Sequence, residues 1–141
     1  MLAEGSGMRA ARFVPVALSA IAMLSCTEPG HPVVGHWVET VAPNRHLALR
    51  ADGSFINYGG TFTDYWRTEG TYAVNEQRIE FHPVRLKSRS GGSPEQVIEP
   101  YPYGAVFEDC TFEFDGSALI LHYTTYPADG PVLATMRLTR H

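Results

Sequence analysis

The sequence predicts an all-β protein, an antiparallel up-and-down β-barrel of about eight strands, with a flattened β-sandwich as the alternative. Three observations predict it. Apolar residues recur with a period of two in short runs after Val33. Turn dipeptides separate these runs, among them Asp52-Gly53, Asp115-Gly116 and Asp129-Gly130. No stretch longer than about ten residues keeps apolar positions at helical spacing without a Gly or Pro. A meander of this size must hide its edge strands, and closure into a barrel is the direct way.

The first expected strand is Val34 to Val41. The second is Arg45 to Ala51, with Leu47 and Leu49 on one face and His46, Ala48 and Arg50 on the other. Ser54 to Tyr58 follows the Asp52-Gly53 turn, and Gly59-Gly60 ends it. Thr61 to Thr68 and Thr71 to Val74 are two further short strands. Arg78 to Val84 sets Ile79 and Phe81 against Arg78, Glu80 and His82. Lys87 to Pro102 holds Ser88, Ser90, Gly91, Gly92, Ser93, Pro94 and Pro100, and reads as a long polar loop with a short strand at Gln96 to Glu99. In Gly104 to Asp115, Val106, Cys110, Phe112 and Phe114 share a face that Glu108 interrupts, so a bulge or the strand end is expected near it. Ser117 to Tyr126 turns Leu119, Leu121 and Tyr123 inward. Val132 to Arg140 closes the set with Ala134, Met136 and Leu138.

The chain has 141 residues, 44% hydrophobic and 18% charged, with a formal net charge of −4. One domain fits that length. The acidic balance argues against nucleic acid as a partner, since phosphate binding needs clustered basic surface.

The amino-terminal part reads as an address. Met8-Arg9-Ala10-Ala11-Arg12 is a short basic start, and Met8 is the expected true start. Phe13 to Leu24 is apolar apart from Ser19. That run is too short to span a membrane comfortably, which takes about 20 residues. It ends at Met23-Leu24-Ser25-Cys26, which resembles the bacterial lipobox. The resemblance implies a signal peptide over residues 1–25, a lipidated Cys26, and a tether over residues 26–33 that leads into a domain at residues 34–141. The competing reading is an ordinary secretory signal cut near Ser25, with Cys26 a bystander. With Cys26 lipidated, Cys110 is left unpaired; otherwise a Cys26–Cys110 disulfide is the rival. The implied location is the bacterial cell envelope, lipid-anchored, the outer membrane before the inner.

Gly35-His36-Trp37 opens the first strand. Gly-X-Trp at this place resembles the lipocalin and wider calycin pattern. The continuation is similar to small bacterial lipocalin-like lipoproteins, through His46-Leu47-Ala48-Leu49, Asp52-Gly53-Ser54-Phe55, Trp66 and Gly70-Thr71-Tyr72 to Ile79. It spans about Val34 to Phe81. The chain is shorter than a typical lipocalin, and no carboxy-terminal helix or biotin-site pattern is visible. The resemblance implies that Trp37 plugs one barrel end beside Gly35 and that an Arg of the last strand packs across it. Arg140 is in phase with Met136 and Leu138 and is expected in that role, as a cation–π contact.

No catalytic site is expected. There is no Gly-X-Ser-X-Gly, and Cys110 and His122 fall on opposite faces. The six histidines include no His-X-His pair and no His-Glu-X-X-His helix, so no metal and no cofactor is expected. The aromatic set Tyr58, Tyr65, Trp66, Tyr101, Tyr103 and Tyr123 is the candidate lining for a ligand, with the Lys87 to Pro102 loop as its cover. The functional expectation is a membrane-anchored barrel that binds a small apolar or amphipathic ligand. The alternative is a filled barrel that presents its loops to another envelope protein or inhibits an enzyme. The bulky inward set favours a filled interior.

Overall fold

The computed structural model describes residues 30–141. The expected signal peptide and the lipidation site Cys26 lie outside the described residues.

The described chain folds into nine strands: β1 (Gly35–Glu39), β2 (Arg45–Leu49), β3 (Ser54–Gly60), β4 (Tyr65–Asn75), β5 (Arg78–Arg89), β6 (Gln96–Ile98), β7 (Glu108–Asp115), β8 (Ala118–Thr125) and β9 (Val132–Arg140). All pairings are antiparallel. Eight strands close a ring in which β1 pairs with both β2 and β9, and β4 pairs with both β3 and β5. β6 is an additional strand on the free part of β5. Closure along this ring excludes the flattened sandwich.

Two elements differ from the sequence reading, and a third carries the irregularity expected of it. Thr61 to Thr68 and Thr71 to Val74 are not two strands, because β4 runs unbroken through Gly70. A register shift between Glu69 and Gly70 absorbs the irregularity. Gly is required there, since a Cβ would sit 2.1 Å from the His82 carbonyl oxygen. The polar stretch after Lys87 is partly strand. Lys87 and Ser88 pair with β4 on one side and with Val97 and Gln96 on the other. Polar composition misled here because these residues are only half-buried, and backbone pairing rather than burial holds them. At the start of β7, Phe107 and Asp109 both take positive φ, 51° and 49°, and the register shifts between Glu108 and Thr111. That is the bulge expected near Glu108, and it buries Phe107 while Val106 is only partly covered.

The two barrel ends are unlike. At one end the connections are short: residues 50–53, 76–77 and 116–117. At the other they are longer on the whole, four to nine residues against two to four: residues 40–44, 61–64, 90–95, 99–107 and 126–131. The chain enters β1 and leaves β9 at the short-turn end. The core fills that half with Val33, Trp37, Leu49, Phe55, Tyr72, Ile79, Leu119, Leu121 and Leu138, each at most 1% exposed. Full burial of one such side chain stabilises by about 1.5–3 kcal/mol.

Trp37 is fixed at this end by two contacts. Its indole Nε1 donates to the Val33 carbonyl at 2.8 Å. The Arg140 guanidinium lies over its ring at 4.4 Å. Arg140 also donates to the Val34 and Pro32 carbonyls at 2.9 and 3.0 Å, which ties the segment before β1 to the end of β9. A Cβ on Gly35 would lie 2.3 Å from Arg140 Nη1. The missing side chain is therefore what lets the guanidinium reach the indole.

Candidate functional site

The long-loop end holds an open cup of about 690 Å³. Strand parity builds it. The inward positions of β2 are Arg45, Leu47 and Leu49, so a charged residue follows two leucines toward the mouth. On β1 the same parity runs Gly35, Trp37, Glu39. On β3 it runs Phe55, Asn57, Gly59, and on β4 it includes Trp66 and Thr68. Across the sheet, Leu47, Asn57, Thr68 and Leu86 stand in one row, and Arg45, Gly59, Trp66 and Ser88 in the next.

The floor of the cup is polar. Asn57 and Thr68 are 5% and 2% exposed, the two buried polar residues among those described. Arg45 lies 3.5 Å from Glu39 and stacks over the Trp66 ring at 5.7 Å. Arg45 Nε is fully buried without a hydrogen-bond partner, and Glu39 Oε2, equally buried, has only its ion pair with Arg45. Buried polar groups are normally satisfied, so this floor has donor and acceptor capacity to spare. Gly59 makes room for Trp66, whose ring would touch a Cβ there at 3.0 Å.

The wall and rim are aromatic. Phe107 meets Tyr123 edge-on at 4.9 Å and Phe81 at 5.2 Å. Tyr101 and Tyr103 come from the 99–107 connection and meet edge-on at 5.8 Å. The Tyr101 hydroxyl is hydrogen-bonded to Thr68, which folds this connection over the mouth. Burial raises the phenol pKa of Tyr101 and of Tyr123 above the usual value, so both stay protonated donors near neutral pH. Tyr126 and Glu108 share a hydrogen bond at the lip.

The opening exists because the β5–β7 seam is short. The two strands share one residue pair, Arg78 with Thr111, and one further bond from the Phe112 amide to the Gln77 carbonyl at 2.9 Å. Beyond it β5 pairs with β6 instead, and Leu86 and Ser88 of β5 line the cup together with Glu108 of β7.

Of the expected lining residues, the structure brings Trp66, Tyr101, Tyr103 and Tyr123 together in the cup. It does not bring Tyr58 or Tyr65. Both have outward parity on β3 and β4. Tyr58 packs against His36 and His46, and the Tyr65 hydroxyl donates to Glu95. The filled interior expected from the bulky inward residues is true of one half of the barrel only. Arg45, Asn57, Thr68 and Phe107 were not expected at the site. For Arg45 and Asn57 the signal was present, since each is two residues from an inward neighbour.

Cys110 is a buried free thiol, 1% exposed, and burial pushes its pKa up to about 12. His122 points away from it to Thr135 and Glu113, at 3.1 and 3.4 Å. No family model, curated protein or solved structure matches the chain.

Proposed function

We propose that this chain is a non-enzymatic binding protein of the bacterial cell envelope, held by lipid on Cys26, whose cup receives a small amphipathic ligand. The ligand's polar end reaches Arg45, Asn57 and Thr68. Its apolar body lies against Trp66, Phe107, Tyr101 and Tyr123. The observation that carries this reading is the cup itself, with a polar floor under aromatic walls. Binding pockets for small molecules commonly measure about 300–1,000 Å³, with few polar groups in an apolar lining. The resemblance of Gly35-His36-Trp37 to the lipocalin pattern supports a barrel used as a container. The Ser25-Cys26 junction supports the anchor, and the short-turn end, where the chain enters β1, then lies nearer the membrane than the mouth.

A fluorescence titration tests the reading. The chain from Thr27 to His141 retains every strand and the Val33 and Arg140 contacts. An anionic naphthalene probe should brighten on binding it with one-to-one stoichiometry. Tyr101→Ala and Arg45→Gln should each weaken binding about tenfold, the loss of one good contact. Equal binding by both variants would contradict the cup as the site.

The interaction-module reading keeps one observation in its favour. Val41, Phe62, Leu133 and Tyr103 are 87%, 87%, 84% and 72% exposed, and all stand at the long-loop end. Exposed apolar groups around a mouth suit a partner that delivers or receives the ligand.

A further inference from the structure

A second cluster lies on the outer wall, remote from the cup in strand parity. His36 of β1, His46 of β2 and Tyr58 of β3 all face outward, and His141 follows β9 beside them. The His141 amide donates to the His36 carbonyl at 2.9 Å, which continues the β1–β9 ladder and sets His141 next to His36. His36 Nε2 and His46 Nδ1 are 3.0 Å apart, a distance held by one shared proton. The Tyr58 hydroxyl is 3.2 Å from the same His36 nitrogen. Its ring lies flat on His46 at 4.6 Å, with 2° between the planes. The His141 ring meets His36 edge-on at 4.9 Å and lies 6.3 Å from His46.

These spacings have a chemical meaning. Zinc–nitrogen bonds of about 2.0–2.1 Å at tetrahedral angles set neighbouring ligand nitrogens about 3.3 Å apart and ring centres about 5 Å apart. The His36–His46 ring centres are 5.1 Å apart. Exchanging the shared proton for a metal ion therefore keeps the spacing of the ring centres, turns the two facing nitrogens toward one common point, and moves the proton to the other nitrogen of the ring that carried it. A neutral imidazole gives a metal ion one ring nitrogen, and the facing nitrogens His36 Nε2 and His46 Nδ1 are the two a shared ion would take. As they stand, no three His, Cys, Asp or Glu side chains among the described residues are gathered around one point. His141 is exposed, and a rotamer change of such a side chain takes only picoseconds to nanoseconds.

We propose that His36, His46 and His141 form a three-imidazole site for a divalent transition metal ion of the zinc class, completed when the His141 ring turns toward the other two. Tyr58 is a positioning residue that holds the His46 ring by stacking. The bound ion joins β1, β2 and the end of β9, and so staples the barrel where its first and last strands meet.

The test uses the full chain in detergent, stripped of metal with a chelator and titrated calorimetrically with zinc at pH 7.5. One ion per chain should bind with micromolar or tighter affinity. His36→Ala, His46→Ala and His141→Ala should each weaken it at least tenfold, while His82→Ala and His122→Ala leave it unchanged. Cobalt(II) in place of zinc should give the intense visible absorption of a four-coordinate ion, lost in the same three variants. His141→Ala alters an exposed position beyond the last strand, so its result is readable whatever the other two variants do to folding. No saturable binding at micromolar zinc would overturn the proposal. So would His141→Ala binding zinc as tightly as the unaltered chain.

Discussion

Arg45 shows how far a single residue's role could be read from the sequence. Leu47 and Leu49 are recognisable as inward by alternation, and the same alternation places Arg45 inward. Its charge argues for solvent, and that argument fails because Glu39, two residues past Trp37, is inward as well. Charged residues enter an interior in pairs or not at all. Gly35, Trp37 and Arg140 were legible, because each of their roles depends on strand phase and residue size alone. Arg140→Ala removes the contact over Trp37 and two charge-assisted bonds to carbonyls. Urea unfolding should show a loss of about 2 kcal/mol, a value set by the exposure of Arg140 at the barrel end. Gly35→Ala should give a similar loss by pushing the guanidinium off the indole, and Arg140→Ala added to it should cost little more. Cys110 supports a separate expectation. With its pKa near 12 and its sulfur buried, it should resist a thiol reagent at pH 8 in the folded chain and react promptly in denaturant.

Elements were legible wherever alternation was clean and a turn dipeptide lay beside the run. β2, β8 and β9 are such cases. β4 and β5 were not, because the signals that end a strand in sequence are here absorbed inside one. Gly70 reads as a break and is a bulge. Lys87 and Ser88 read as the start of a loop and pair on both sides. No local pattern reports a partner strand on each flank, since pairing is a long-range property of the sheet. Gly70→Ala would press a Cβ into the His82 carbonyl, which no side-chain rotation relieves. It should cost about 2 kcal/mol or more in thermal or urea unfolding, against a few tenths for a change at Gly92, where a Cβ meets nothing within 4 Å. The single residue pair between β5 and β7 marks the weak seam of the ring. Amide hydrogen exchange should therefore run faster in β6 and the first residues of β7 than in β8, which is paired along its whole length on β9. Equal protection of the two would contradict the seam.

The two ends of the barrel stand in contrast. Short turns and large apolar side chains seal one. Long loops, an unsatisfied polar floor and aromatic walls open the other. Total composition and the list of bulky inward residues carry no record of this contrast, because a sum over the barrel cannot say where along each strand the small and polar residues fall. The contrast appears only when the registers align Asn57 with Thr68 and Gly59 with Trp66. The most direct test is native mass spectrometry of the chain from Thr27 to His141, secreted into and purified from a bacterial periplasm. The account predicts a discrete added mass that organic extraction removes, that returns on incubation with envelope lipid extract, and that is weakened in Arg45→Gln. A bare chain mass that stays unchanged after the same incubation would contradict it.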